Sequence, residues 1–265
     1  MYCRTPLNYS VDGVPFPIEV DVQDGRTVEL PGWETCGFEL MNFHSRVVDW
    51  RSSNEVEALH FDEVTYLCRK LTGCSHVIYY PPLLRSPEGA AAHPDLAPIE
   101  FVHSDYTESY RATIENPEHP YHRILEPSMA RAGVTTETLC NASRVLTLQL
   151  WRNIGKPDID YPMCFCDCRT VTREELEPIH VAEYGGLRTE FEAFAVAPTR
   201  NQEHRWYTFP EMAIDEVVLF RAFDSKCIED GRPFWTPHAS FRDPRQPENA
   251  PARKSLEMRA ICLFA

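Results

Sequence analysis

The sequence predicts a mainly β protein with helical additions, folded as an antiparallel sandwich or jelly roll. Three observations lead there. Many short β-prone runs, separated by Gly, Pro, Asn and Asp, follow a helix-containing first third. Proline is abundant, with 22 in 265 residues, which breaks helices and favours loops and short strands. The clearest helical spacing is confined to one early segment, and no repeat, heptad or low-complexity block appears.

Taken in order, residues 14–50 read as β-rich. Residues 18–22 alternate apolar and acidic side chains and predict a short strand; residues 26–30 predict another after the turn Asp24-Gly25. Gly37-Phe38-Glu39-Leu40 follows. Over residues 54–71, Val56, Leu59, Val64, Leu67 and Leu71 recur at helical spacing, and the helix should stop at Thr72-Gly73, with Gly past its end. Residues 75–80 form a β-prone run closed by Pro81-Pro82. Residues 85–98 are rich in Pro and Ala and read as a flexible loop; residues 84–98 suit either a lid over a pocket mouth or a plain surface loop.

Residues 99–107 read as a strand. Residues 108–131 are partly helical despite their prolines, with a short helix over 125–132 and a helical turn from 135 to 139. Residues 143–151 form a strand with Val145, Thr147, Gln149 and Trp151 on one face and Leu146, Leu148, Leu150 and Arg152 on the other. Residues 163–170 form another. Residues 181–196, interrupted by Gly185-Gly186, form a hairpin, and residues 206–210, 216–223 and 255–264 are further strands. No boundary divides the chain. We read 1–265 as one domain, with α/β additions over about residues 1–98 and a jelly-roll core over about residues 99–265.

Composition narrows the function. Apolar residues make up 43% and aromatics 11%, enough for a sizeable core. A net charge of -14 excludes nucleic-acid binding, which needs Lys and Arg against phosphate. No apolar run reaches the roughly 20 residues of a membrane span, and Met1-Tyr2-Cys3-Arg4-Thr5-Pro6 has no apolar leader core. The reading is a cytoplasmic protein with reduced cysteines, a small-molecule substrate, no membrane partner, and a homodimer left open. Cys164, Cys166 and Cys168 alternate on one strand face without Cys-x₂-Cys spacing, so they read as buried free thiols rather than a zinc site.

The chemistry centres on Phe101-Val102-His103-Ser104-Asp105-Tyr106-Thr107. On a strand, residues i and i+2 share a face, so His103 and Asp105 stand side by side, about 7 Å apart along the chain. They form two thirds of a 2-His-1-carboxylate triad, which holds non-haem Fe(II) with open positions. His119 and His122 lie in a Pro-rich stretch and read as loop residues; His180 and His204 read as solvent-facing hairpin residues. A jelly-roll metal site takes its third ligand from a late strand, and His238, ahead of the last strand, fits that place. Beyond it come Arg253-Lys254-Ser255, Glu257 and Arg259. A guanidinium beside a Ser hydroxyl can grip the far carboxylate of a 2-oxo acid that chelates iron through its other end. The plainer reading pairs Arg253 and Arg259 with Glu248 and Glu257. The residues alone also admit a cupin-type metalloenzyme that uses no 2-oxo acid, or a non-catalytic jelly-roll binding protein.

The order of motifs resembles the CmcJ/NvfI superfamily of fungal non-haem iron, 2-oxoglutarate-dependent oxygenases. The resemblance is carried by Val102-His103-Ser104-Asp105-Tyr106-Thr107, Leu150-Trp151-Arg152, Asp160-Tyr161-Pro162 and Cys166-Asp167-Cys168-Arg169-Thr170-Val171. It continues through His204-Arg205-Trp206-Tyr207-Thr208-Phe209-Pro210, Pro237-His238-Ala239-Ser240-Phe241-Arg242-Asp243-Pro244 and Arg253-Lys254-Ser255-Leu256-Glu257-Met258-Arg259. It implies a double-stranded β-helix (jelly roll, cupin-like) with Fe(II) on His103, Asp105 and His238. It implies 2-oxoglutarate and O₂ as cosubstrates, with Arg253 or Arg259 gripping the 2-oxoglutarate carboxylate and Ser255, Gln149 and Arg152 as further contacts. Family members often carry Asn where this chain has Gln149 ahead of Leu150-Trp151-Arg152. The implied activity is hydrogen abstraction from a small metabolite in secondary-metabolite biosynthesis, ending in hydroxylation, desaturation, cyclisation or endoperoxide formation. Tyr79, Tyr106, Trp151, Trp206, Phe209 and Trp235 are the aromatic candidates for the substrate pocket.

Overall fold

The computed structural model describes residues 1–199 and 203–265. Among these, fourteen strands run in the order β1 (Cys3–Val11), β2 (Val14–Asp24), β3 (Phe38–Asn42), β4 (His76–Tyr79), β5 (Leu83–Arg85), β6 (His103–Ser104) and β7 (Arg144–Asn153). The second half supplies β8 (Met163–Cys166), β9 (Leu176–Tyr184), β10 (Leu187–Val196), β11 (Trp206–Thr208), β12 (Glu216–Asp224), β13 (His238–Ser240) and β14 (Ser255–Phe264). They make an eight-stranded sheet, β1-β2-β11-β8-β13-β6-β10-β9, and a six-stranded sheet containing β3-β12-β7-β14-β4, with β5 also paired to β14. The strands of the first 98 residues extend both sheets: β1 and β2 join the larger, and β3, β4 and β5 the smaller. The crossed order of neighbours from distant parts of the chain is that of a jelly roll.

The alternation along β7 sorts its side chains. Val145 and Thr147 face the interior between the sheets, while Leu146, Leu148 and Leu150 pack outward against the helix Phe61–Thr72. That helix buries Val64, Leu67 and Cys68, the apolar stripe its spacing predicts, and ends at Gly73 with a left-handed φ of 72°. Its approach is less regular than expected: after Ser52 caps Ser53–Glu55, residues Val56–His60 take a wide π-helical turn. Among the described residues, no helix is long and apolar enough to cross a membrane.

Several local expectations are corrected. Residues 26–30 are not a strand. Asp24 accepts the Arg26 backbone N–H at 2.9 Å and the Thr27 hydroxyl at 3.0 Å, which turns the chain. Residues 85–98 are ordered structure, with a helix Pro87–Ala92 capped by Ser86 and a 3-10 turn Pro94–Leu96. The helix expected at 125–132 starts earlier, at Pro120, where proline costs no hydrogen bond. The strand expected over 99–107 pairs in the ladder at His103–Ser104, with one further bridge between Phe101 and Asn8. All ten cysteines are free thiols; Cys164 and Cys166 are buried on β8, and Cys168 opens the turn after it.

Candidate active site

β6 and β13 are antiparallel neighbours, with His103 directly opposite His238. Asp105 lies two residues beyond His103 and points the same way. One potential donor atom from each of His103, Asp105 and His238 lies within 4.8 Å of the others. The two imidazoles are held by the same device: His103 Nδ1 donates to the Phe101 carbonyl at 2.7 Å and His238 Nδ1 to the Thr236 carbonyl at 2.9 Å. With the protons on Nδ1, both Nε2 lone pairs are free for a ligand. Burial, then the neighbouring His238, pushes His103 down to about 4, so its ring is neutral at neutral pH.

Burial pushes the Asp105 carboxyl up, but Arg259, with His238 and His103, overcomes this and holds it below the ordinary carboxylate value. Arg259 Nη2 donates to Asp105 Oδ1 at 3.2 Å, while the buried Oδ2 has no hydrogen-bond partner among the described residues. A buried carboxylate oxygen without a donor is costly, and a cation is the natural occupant. Two imidazoles and one carboxylate are the donor set of a non-haem Fe(II) triad, and these residues fit that ion.

The triad opens into a cavity of about 390 Å³. One side is apolar, with Ile124, Ile179, Val181, Leu187 and Phe191; Tyr80, Tyr106 and Tyr121 contribute aromatic faces. The floor is charged. Arg253, Glu257 and Arg259, from the last strand and the residues just before it, line it together with Arg85 and Gln149. Arg85 Nε donates to Glu257, and Gln149 Nε2 donates to the other Glu257 oxygen at 3.4 Å. Arg253 Nη1 donates to the Ser240 hydroxyl at 2.6 Å and to the Tyr161 carbonyl at 3.4 Å. Burial, then Arg85, brings Arg253 down to about 10, still charged at neutral pH. Arg253 Nε, Ser255 Oγ, Gln149 Oε1 and Arg259 Nε are all buried without a hydrogen-bond partner among the described residues. Those of Arg253, Gln149 and Arg259 belong to residues that line one cavity, and such orphaned polar atoms mark a place built for a polar ligand.

The cavity thus brings together His103, Asp105, His238, Gln149, Arg253 and Arg259, and Ser255 shares the inward face of β14 with Glu257 and Arg259. Arg152 is a correction. It leaves β7 on the outward face, stacks 4.6 Å from the Trp50 ring, and donates to the Phe43 carbonyl at 2.8 Å, away from the cavity. Parity along the strand is the reason: Gln149 faces in, so Arg152 faces out. Of the six aromatic candidates, Tyr106 lines the cavity; Trp206 and Trp235 are core, Trp151 and Phe209 sit in a separate apolar cluster, and Tyr79 is bonded to the Phe61 carbonyl. His122 and His204 are buried rather than exposed: His122 is bonded to the Ile114 carbonyl, and His204 lies 3.0 Å from the Tyr9 hydroxyl. Sequence reasoning missed Tyr80, Tyr121 and above all Arg85. The signal for Arg85 was present: it closes a β-prone Leu-Leu pair, where a buried Arg needs a carboxylate partner.

Comparison with known proteins agrees. The family described as "Oxidoreductase/YMDC permease-like domain" matches residues 8–263. The Fe(II)/2-oxoglutarate-dependent dioxygenase nvfI of Aspergillus novofumigatus is 28% identical over 213 residues, covering 78% of this chain and 66% of that protein. The hydroxylase/desaturase efuI of Hormonema carpetanum is 27% identical over 249 residues, covering 86% of this chain and 77% of that protein. The solved structure of a variant of the iron and alpha-ketoglutarate-dependent endoperoxidase NvfI superposes with a TM-score of 0.73 at 22% identity, over 99% of this chain and 97% of the other. On the family match, the triad geometry and the shared fold, the chain belongs to this family and so to the fungal oxidoreductase superfamily that includes NvfI.

Proposed function

We propose that this protein is a non-haem Fe(II)/2-oxoglutarate-dependent oxygenase that oxidises a small metabolite in secondary-metabolite biosynthesis. One observation carries the reading: a His-Asp-His group with a free carboxylate oxygen shares a cavity with Arg253, which is buried and whose guanidinium, among the described residues, bonds to no carboxylate. Fe(II) with 2-oxoglutarate and O₂ supplies the oxidising power for hydrogen abstraction at carbon, the common root of hydroxylation, desaturation, cyclisation and endoperoxide formation.

The chain's own residues do the rest. His103 and His238 present Nε2, and Asp105 presents Oδ2, while their second atoms are tied to Phe101, Thr236 and Arg259. Arg253 grips the far carboxylate of 2-oxoglutarate, with the Ser255 hydroxyl as second donor. Arg259 is already engaged by Asp105, which favours Arg253 for this role. Gln149, with its unpaired Oε1, borders the cosubstrate. The apolar side formed by Ile124, Val181 and Phe191 receives the substrate and excludes water from the reacting carbon. Relatives titled dioxygenase, hydroxylase/desaturase and endoperoxidase support this range of outcomes.

We read residues 1–265 as a single catalytic domain, supported by the first five strands being built into the same two sheets as the triad. Free thiols throughout suit a cytoplasmic location, the net charge of -14 argues against a nucleic-acid partner, and sedimentation velocity tests for a homodimer. The functional test is direct: purified protein with Fe(II) and O₂ should convert 2-oxoglutarate to succinate, even without substrate. Iron binding with no 2-oxoglutarate binding would instead favour a cupin-type enzyme.

A further inference from the structure

We propose that Arg85 is a positioning residue for the dianionic cosubstrate, acting through Glu257, whose negative charge it neutralises beside the cosubstrate's path. This rests on the oxygenase reading above.

The argument begins with β14. Ser255, Glu257 and Arg259 alternate onto its inward face, and Arg253 immediately precedes it. A ligand held by Arg253 at one end and by the triad at the other runs alongside this face, because Arg259 is the residue that touches Asp105. Glu257 lies between the two ends. It is 5% exposed, and an unpaired carboxylate there would repel a dianion strongly in so dry a setting.

Its neutralisation comes chiefly from the neighbouring strand β5. Arg259 stands 3.9 Å from Glu257 but 3.2 Å from Asp105, so its charge is shared, with the larger part toward the metal ligand. Gln149 brings a hydrogen bond but no charge. Arg85, on β5, makes the direct ion pair. Its remaining N–H groups tie down neighbouring segments: Nη1 donates to the carbonyls of Ala97 at 2.9 Å and Asp95 at 3.2 Å, and Nη2 to the hydroxyl of Tyr184, which lines the cavity. One guanidinium therefore joins Glu257 to residues 95–97 and to the end of β9. Glu257 is neutralised when those segments are seated, so cosubstrate affinity reports on their order.

The test is calorimetric binding of 2-oxoglutarate to the full chain loaded with Mn(II), a redox-silent stand-in for Fe(II). Arg85→Met should weaken binding at least about tenfold, the size expected when a buried charge loses its partner. The double variant Arg85→Met/Glu257→Gln should return to within about threefold of wild type, and Glu257→Gln alone should bind no more weakly than wild type, since the repelling charge is gone in both. Arg85→Met binding as tightly as wild type overturns the proposal. So does a double variant as weak as Arg85→Met, which would make Arg85 a purely structural clasp. Where Arg85→Met fails to fold, Glu257→Gln decides: weaker binding than wild type overturns the proposal. Failure of the wild type itself to bind 2-oxoglutarate would count against the oxygenase reading instead.

Discussion

Arg259 Nη2 stands 3.2 Å from Asp105 Oδ1, which leaves the second oxygen of that carboxylate buried and unpartnered. The arginine fixes the rotation of the carboxylate and leaves Oδ2 free for a ligand. Arg259→Met should therefore lower Mn(II) or Fe(II) affinity by about 10- to 100-fold, the usual effect of removing a group that orients a metal ligand. Equilibrium dialysis with metal analysis checks this.

The paired imidazoles face each other across β6 and β13, with ring centres 4.4 Å apart. His103→Ala and His238→Ala should each abolish stoichiometric iron binding and succinate formation. Normal iron content in either variant would remove that residue from the triad.

Arg253 is a buried, cavity-lining cation whose guanidinium, among the described residues, donates to Ser240 and Tyr161 and to no carboxylate. A charge-assisted hydrogen bond contributes about 1.5–3 kcal/mol. Arg253→Ala should raise the KM for 2-oxoglutarate by one to two orders of magnitude while metal binding persists. Steady-state kinetics across cosubstrate concentrations give the answer, and an unchanged KM would transfer the anchoring role to another residue.

Arg152 supplies the contrast. It is 1% exposed, lies over Trp50 and Phe43, and donates to two backbone carbonyls. Arg152→Ala should cost about 2–4 kcal/mol of stability through lost packing and unpaired carbonyls. Metal and 2-oxoglutarate affinity of the folded protein should stay at the wild-type value. Urea unfolding combined with calorimetry separates the two effects.

His60 carries the acid sensitivity. It is 2% exposed between Trp50 and Phe43, 3.0 Å from Glu63, and burial pushes it down to about 4 despite that carboxylate. The unfolded chain takes up this proton near 6.5, so between pH 6.5 and 4 it binds more protons than the folded protein, and stability falls as the pH falls. At about 1.4 kcal/mol per pKa unit, the loss amounts to about 3 kcal/mol. Glu63, lowered to about 2, extends the decline below pH 4.5. His60→Gln should flatten the pH dependence of the urea midpoint between 6.5 and 4, although His103 retains its own share in the metal-free protein.

The sequence revealed the chemistry better than the walls around it. The grouping of His103, Asp105 and His238 was legible because short-range alternation and late-strand position are local properties; the same late-strand argument offered Arg253 or Arg259 without choosing between them, and Gln149 entered only through the family resemblance. Arg152 was misplaced because a motif was carried over as a block, whereas its strand sends alternate residues to opposite faces. The cavity side from Ile179 to Phe191 was hidden because a half-exposed apolar hairpin reads like any amphipathic one until a second sheet is laid opposite. Arg85 was lost to the look of its neighbours: Pro, Ala and Gly suggest a loop, while its burial depends on Glu257, far away in the chain.

The thiols of β8 acquire a different meaning beside such a centre. Cys164 pairs in the ladder with Ala239, next to His238, and burial pushes its thiol well above the ordinary value, as it does that of Cys166. Sulfur is oxidised mainly as thiolate, and at neutral pH these two residues have almost none. Under the proposed oxygenase chemistry, cysteines a strand away from the site are chemically silent, and inactivation during turnover should begin elsewhere, with the exposed Cys140 the first thiol to be labelled.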